Sequence, residues 1–147
     1  MEVVVRFIKY NELNSLLDLY KHLHMDDSPV SMDLTTKLWD EIFNDQSLQY
    51  IVLEVDEQIV SSCTLAIIKN LTRGARTYGL IENVVTHTEH RNRGYGTKVL
   101  EKAVSVARDS GCYKVMLLTG SKKEETLRFY EKAGFERETK TGFICKL

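Results

Sequence analysis

The stretch Arg91-Asn92-Arg93-Gly94-Tyr95-Gly96-Thr97-Lys98-Val99-Leu100 is the part of this sequence around which the rest is organised. It follows an extended run from Tyr78 to Thr86, and it opens a segment in which apolar residues recur at helical spacing. The sequence therefore predicts a strand, a short loop rich in arginine and glycine, and a helix. The start of such a helix presents unpaired N–H groups and the positive end of the helix dipole. The two glycines let the backbone approach a ligand closely, so the loop is suited to phosphate oxygens.

Two common phosphate-binding loops do not fit this stretch. A dinucleotide fingerprint needs a third glycine after Gly94 and Gly96, at the position where this chain has Val99. A nucleoside triphosphate loop ends in Gly-Lys-Ser or Gly-Lys-Thr, whereas the order here is Thr97-Lys98. What remains is Arg-x-x-Gly-x-Gly at a helix start, with a glycine-containing turn and solvated arginines as the structural alternative.

The Arg-x-x-Gly-x-Gly motif resembles the pyrophosphate loop of the GNAT acetyltransferases, which holds the diphosphate of acetyl-coenzyme A (acetyl-CoA). A second segment, Leu127 to Phe135, resembles the family's Phe-Tyr-x-Lys-x-Gly-Phe pattern, in the expected order and at the expected spacing. The resemblance covers nearly the whole chain and implies acetyl-CoA as cosubstrate. The residues expected to bind it are Val84, Val85 and Thr86 on the strand and Arg91, Asn92, Arg93, Gly94, Tyr95, Gly96 and Thr97 in the loop.

Within that family, the part from Gly79 to Phe135 is most similar to glucosamine 6-phosphate N-acetyltransferases. Two carboxylates of those enzymes are missing here. Asn83 stands where they have aspartate, and Leu118-Thr119-Gly120 replaces Leu-Asp-Cys. The early helices, which shape the acceptor pocket in this superfamily, give no match. We therefore expect a small-molecule primary amine as acceptor, with an amino sugar phosphate as one option.

The resemblance implies direct attack of the amine on the thioester, without an acyl-enzyme. A backbone N–H at a strand bulge near Val84 or Val85 is expected to polarise the thioester carbonyl. Backbone groups from Val84 to Thr86 are expected to pair with the pantetheine arm as an added strand would. These roles follow from the family and not from the spacing of the residues.

Tyr130 and Glu82 are the candidate catalytic residues. A phenol is protonated at neutral pH, so Tyr130 can donate a proton to the departing sulfur; the alternative is a packing role beside Phe129. Glu82 is the candidate base, either directly or through a water. Strand alternation predicts that it shares a face with Leu80 and Val84, and the alternative is a solvated or cross-strand-paired glutamate.

Composition fits an ordinary globular protein of one domain, residues 1–147. The chain has 43% hydrophobic residues and a formal net charge of -1, so nothing favours binding to nucleic acid or to a membrane surface. Three cysteines without metal-ligand spacing indicate a reducing, cytoplasmic setting, and we expect no metal requirement.

A homodimer is implied by the resemblance alone. Two alternative functions stay open: a silent acyl-CoA-binding or sensing domain, and an acetyltransferase acting on a protein or peptide amine.

The pattern of elements predicts an α/β fold with a mixed sheet and helices on both faces, the GNAT arrangement. We expect a first helix capped by Asn11 and running to about His24, and a second capped by Asp33 and running through Phe43. The unit from Tyr78 to Leu118 is predicted to be a right-handed parallel crossover. Two closing strands are expected at residues 135–137 and 143–146.

Overall fold

The computed structural model describes all 147 residues and contains one five-stranded sheet whose strands lie in sequence order. The first four strands pair antiparallel, and the last pairs parallel to its neighbour after a helical crossover. The mixed sheet predicted from the sequence is confirmed. The strands are β1 (Val3–Phe7), β2 (Leu48–Val55), β3 (Gln58–Ile68), β4 (Tyr78–Thr86) and β5 (Val115–Leu117).

Helices cover both faces of this sheet. One face packs against the long crossover helix, and the other packs against the two early helices. The helices are α1 (Leu13–Tyr20), α2 (Met32–Phe43), α3 (Thr72–Ala75, a single distorted turn), α4 (Tyr95–Asp109) and α5 (Glu124–Lys132). None of them is long and apolar enough to span a membrane.

The central strands are apolar on both sides because both sides are covered. In β2, Ile51 and Leu53 join the core beneath α4, whereas Val52 joins the core beneath α1 and α2. α4 contributes its apolar stripe, including Val99 and Leu100, to the first core. The sheet therefore holds the loop before α4 firmly in place through the helix that follows it.

The ends of the early helices differ from the prediction. A 3₁₀ turn at Tyr10–Glu12 precedes α1, so Asn11 lies inside this turn and does not cap the helix. α1 ends at Tyr20, and His24 belongs to the turn that follows, where its N–H donates to the Tyr20 carbonyl. α2 is capped by Ser31, whose hydroxyl accepts from the Leu34 N–H, rather than by Asp33.

The two predicted closing strands are absent. No strand is formed at residues 135–137 or 143–146, and the side chains of Phe143 and Ile144 are 90% and 81% exposed. A strand needs a neighbour that supplies hydrogen-bonding groups, and the nearest free edge of the sheet is β5, which has only three residues. In this single chain the β-rich pattern of the C-terminus therefore finds no partner.

Candidate active site

β4 contains a bulge in its middle. Thr64 and Ser62 of β3 pair with Glu82 and Val85 of β4, so β4 carries one extra residue between the two pairs. Asn83 lies in that extra turn of backbone with φ +54°, a left-handed conformation that asparagine adopts more readily than most residues. The bulge lies beside Val84 and Val85, where the family resemblance implies a backbone N–H that polarises the thioester carbonyl. That role stays a prediction.

The bulge corrects the predicted alternation along β4. Ile81 and Val84 both pack on the core beneath α4, whereas Val85 packs on the core beneath α1. After the extra residue, the side chains of β4 alternate in the opposite sense. Glu82 and Val84 therefore lie on opposite faces of the sheet, and the prediction that they share a face is wrong. Glu82 lies directly opposite Thr64, on the side of the sheet that α1 covers.

β4 and β5 separate at this same point. They pair only from Gly79 to Ile81 on β4, and β5 ends at Leu117. Residues Val84 to Thr86 therefore have β3 on one side and no strand on the other. An extended ligand could add itself to this open edge through backbone hydrogen bonds.

The loop after β4 leads into an uncapped helix start. Gly94 is the N-cap of α4 with φ +80°, and no side chain caps the helix. The first helical bond runs from the Lys98 N–H to the Gly94 carbonyl at 3.1 Å, so the N–H groups of Tyr95 to Thr97 have no partner in the chain. With the dipole of a 15-residue helix behind them, these groups suit a diphosphate.

The predicted loop residues have different structural roles. Arg91 donates from Nε to the Thr86 carbonyl at 3.2 Å and from Nη2 to the His22 carbonyl at 3.4 Å, which ties the loop to the turn after α1. Asn92 and Arg93 are exposed and make no side-chain hydrogen bond within the chain. Tyr95 is 5% exposed and belongs to the core, so only its backbone is available to a ligand.

Gly96 corrects the expectation that both glycines serve close approach to a ligand. A Cβ at Gly96 would lie 2.8 Å from Cζ of Phe129 and 3.5 Å from Oγ1 of Thr86, so the absence of a side chain lets α5 pack against the start of α4. At Gly94 a Cβ would meet nothing within 4 Å, and it is the positive φ that favours glycine there.

Tyr130 lies on α5, half-buried on the core beneath α4, with its ring 4.9 Å from that of Phe129. Burial and the nearby Cys63 raise the pKa of the Tyr130 phenol, so it is protonated at neutral pH. Its hydroxyl makes no hydrogen bond to the rest of the chain, which leaves it able to donate to a ligand. The catalytic role stays a prediction.

Glu82 is exposed and makes neither a salt bridge nor a side-chain hydrogen bond within the chain. The cross-strand ion pair considered as an alternative is therefore not formed. Tyr130 packs on the α4 side of the sheet and Glu82 lies on the α1 side, with the opening between β4 and β5 beside both. A group held in that opening would have the Tyr130 hydroxyl on one side and the Glu82 carboxylate on the other.

Three histidines lie together beside the loop. The rings of His22 and His87 are 4.0 Å apart, and those of His87 and His90 are 5.3 Å apart. Burial, followed by His87 and Arg91, lowers the pKa of His22. The sequence carried no signal for this cluster, because His22 and His87 are joined only by the tertiary fold.

A large cavity lies elsewhere, with a volume of about 1090 Å³ along β5, α5 and the C-terminal residues. It touches Tyr130 but none of the residues from Val84 to Thr97 that were predicted to bind the coenzyme. It borders the edge of β5 that the C-terminal residues leave unpaired. The residues predicted to bind the coenzyme lie outside this cavity, at the bulge, the strand opening and the uncapped helix start.

Residues 13–135 match the model of the acetyltransferase (GNAT) family. The chain belongs to the GNAT family. Among curated relatives, this GNAT chain is 41% identical over 78 residues to the glucosamine 6-phosphate N-acetyltransferase of Trypanosoma brucei brucei. That alignment covers 53% of this chain and 51% of the trypanosome enzyme, so it spans about half the length of that relative.

Solved structures agree with the family assignment. A protein of Agrobacterium tumefaciens str. C58, described as a candidate acetyltransferase, is 37% identical, with a TM-score of 0.92 and coverage of 98% of this chain and 99% of its own. The glucosamine-6-phosphate N-acetyltransferase of Arabidopsis thaliana has a TM-score of 0.86 at 24% identity, covering 100% and 99% of the two chains. At that identity the Arabidopsis enzyme supports the fold only.

Proposed function

We propose that this GNAT chain transfers an acetyl group from acetyl-CoA to a primary amine of a small molecule, by direct attack in a ternary complex. One observation carries the proposal: the opening between β4 and β5 leads to the uncapped start of α4. The extended thioester arm of acetyl-CoA fits the opening between the strands, and the diphosphate at its other end fits the uncapped helix start.

The helix start and the loop bind the diphosphate end in this proposal. The free N–H groups of Tyr95, Gly96 and Thr97 donate to its oxygens, and the exposed guanidinium of Arg93 adds a positive charge. Arg91 positions the loop through its two carbonyl contacts. Backbone groups of Val84 to Thr86 hold the extended arm, where β5 leaves them without a partner strand.

The bound thioester supplies the acetyl group as an activated acyl donor. Glu82 takes a proton from the acceptor ammonium, directly or through one water, so that nitrogen attacks as a neutral amine. A backbone N–H at the bulge, of Val84 or Val85, stabilises the negative charge that grows on the carbonyl oxygen. As the new C–N bond forms and the C–S bond breaks, the nitrogen releases its second proton to solvent, and the Tyr130 hydroxyl donates its proton to the sulfur and later regains one from solvent.

The acceptor in this proposal is a small amine, and an amino sugar phosphate is the first compound to test. The similarity to the trypanosome glucosamine 6-phosphate N-acetyltransferase supports that choice. Asn83, which replaces an aspartate of those enzymes, argues for testing other amines beside it. Three free cysteines support a cytoplasmic location, since a reducing compartment keeps such thiols unpaired.

We also propose a homodimer. The unpaired edge of β5 and the exposed apolar side chains of Leu118, Phe143 and Ile144 support a contact with a second copy. Exposed edges and apolar patches of this kind are otherwise sites of non-specific association. Sedimentation equilibrium of the full chain tests this part of the proposal separately from the activity.

Thiol release from acetyl-CoA tests the proposed activity. The amines are glucosamine 6-phosphate, glucosamine, 1,5-diaminopentane and a short peptide with a free N-terminus, each with product detected by mass spectrometry. The proposal expects thiol release that depends on one of the first three amines and equals the amount of N-acetylated product. A preference for the peptide would favour the protein-acetyltransferase alternative. Tight acetyl-CoA binding without transfer to any amine would favour the silent binding domain.

A further inference from the structure

Two buried hydroxyl groups near Glu82 have no hydrogen-bond partner in the chain: those of Tyr20 and Thr64. Thr64 is only 6% exposed. A buried hydroxyl without a partner is costly, and most such groups in folded proteins are satisfied by protein, water or ligand. Two of them together therefore indicate a place where something outside the chain supplies the partner.

The two hydroxyls belong to one polar group on the α1 side of the sheet. Tyr50, Thr64 and Glu82 are directly opposite one another across β2, β3 and β4, and Tyr20 covers them from α1. Burial, and then Tyr50, raises the pKa of Tyr20, whereas Thr64 and Asn83, which lie near enough to act as hydrogen-bonding neighbours, lower it. Neither Thr64 nor Asn83 makes a hydrogen bond of ordinary geometry with the Tyr20 hydroxyl.

This face of the sheet is open beside the polar group. Glu82 and Asn83 are exposed even though β4 lies between β3 and β5 and is not an edge strand. The early helices therefore leave the bulge uncovered, and a molecule can reach Glu82 from the α1 side. The hydroxyl oxygens of Tyr20 and Thr64 are themselves buried in the free chain, so such a molecule contacts them only after a neighbouring side chain moves aside.

The side chains beside Glu82 favour a neutral part of a ligand. Tyr20, Thr64 and Asn83 carry a phenol, an alcohol and an amide, each of which can donate and accept a hydrogen bond. No lysine, arginine or histidine belongs to this group, so it offers no positive charge to a phosphate. A ligand hydroxyl can donate to one of the two orphan oxygens and accept from the other, which satisfies both at once.

We propose that Tyr20 and Thr64, with Asn83, form a subsite that binds a hydroxyl group of the acceptor, next to the amine at Glu82. The inference rests on the proposed acetyl transfer and narrows its substrate class to amines that carry a hydroxyl group close to the nitrogen, as amino sugars do. A phosphate on the acceptor would be bound outside this subsite. Tyr20 and Thr64 are thus specificity residues, and neither exchanges a proton with the substrate.

The test compares Thr64→Val and Tyr20→Phe, which remove one hydroxyl each with little change of shape, with Thr64→Ser, which retains the hydroxyl. With glucosamine 6-phosphate or glucosamine as acceptor, we expect kcat/KM to fall about tenfold in the first two variants and less than threefold in Thr64→Ser, because each of the first two loses a hydrogen bond to substrate. The Kd for acetyl-CoA is expected to stay unchanged. Denaturant unfolding is expected to show no loss of stability, because the hydroxyls removed are unsatisfied in the free protein.

Two results would overturn the subsite while leaving the transferase intact. One is transfer to glucosamine that is unchanged in both variants. The other is a preferred acceptor without a hydroxyl, such as 1,5-diaminopentane. Lower stability with unchanged kcat/KM would assign the hydroxyls to bound structural water instead. A wild-type chain that acetylates no amine contradicts the proposed function itself, and the subsite with it. Tyr20→Phe carries the test if Thr64→Val fails to fold.

Discussion

Replacing Gly96 with alanine should destabilise the fold by disturbing the contact between α4 and α5. The added Cβ would lie 2.8 Å from Cζ and 3.2 Å from Cε1 of Phe129, whereas carbon atoms in contact are ordinarily about 3.5–4.0 Å apart. The Phe129 ring must therefore move, and it carries the neighbouring Tyr130 with it. A residue in the pyrophosphate loop thus acts on the candidate acid through packing.

The expected magnitude is the difference of two effects. Overpacking a well-packed site costs about 1–3 kcal/mol, whereas alanine in place of glycine within a helix gains up to about 1 kcal/mol. The net loss is about 1 kcal/mol, which lowers the Tm of a domain of this size by roughly 2–4 °C. Because Phe129 adjoins Tyr130, kcat should fall more than the affinity for acetyl-CoA.

Denaturant unfolding of four variants measures this loss of stability: Gly96→Ala, Gly120→Ala, Phe129→Leu and the double variant of the first and third. Gly120→Ala is the control, because a Cβ there meets nothing within 4 Å. Phe129→Leu shortens the opposing side chain, and the double variant Gly96→Ala/Phe129→Leu should recover about 1 kcal/mol relative to the sum of the single changes. If Gly96→Ala is as stable as Gly120→Ala and shows no coupling with position 129, then glycine is not required there for packing.

Further predictions concern the loop and the core. Arg93→Glu should weaken acetyl-CoA binding about tenfold at low salt and less at high salt in calorimetry, with Arg93→Gln intermediate, because an exposed charge is screened; equal Kd values for all three proteins would remove Arg93 from the site. Burial raises the pKa of Cys63 from 9.0 to about 12, so its thiol adds stability below pH 9 that is lost as pH rises from 9 to 12, by at most about 1.4 kcal/mol per pH unit. The free energy of unfolding should therefore fall less steeply above pH 9 in Cys63→Ala than in the wild type. The same pH dependence of this free energy in both proteins would contradict the burial argument.

The sequence predicted the fold around β4 and α4 because the relevant signals are local. The extended run, the two glycines and the helical stripe adjoin one another, and the mixed sheet follows from short turns and one crossover. The same locality explains the errors at helix ends. Ser31 and Asp33 are both good capping residues, and only the backbone conformation of Ser31 decides between them.

The rest of the site depends on pairing between distant strands. The bulge at Asn83 is defined by what β3 places opposite it, so alternation along β4 alone gives the wrong face for Glu82. Thr64 and Tyr20 come together only through the packing of α1 on the sheet. The prediction of two closing strands was wrong for a related reason. A β-rich stretch such as Phe143 to Lys146 forms a strand only where the edge of a sheet offers it free backbone hydrogen-bonding groups.

Turnover of Tyr130→Phe tests the central claim, that the opening between β4 and β5 is an acetyl-transfer site with Tyr130 as the acid. The change removes only the hydroxyl, and the ring stays packed beside Phe129. General acid catalysis contributes about 10²–10⁴-fold, so kcat for the best amine should fall within that range while the Kd for acetyl-CoA stays the same. Single-turnover measurements keep product release from hiding the step. An unchanged single-turnover rate would contradict the account and leave Tyr130 as a packing residue.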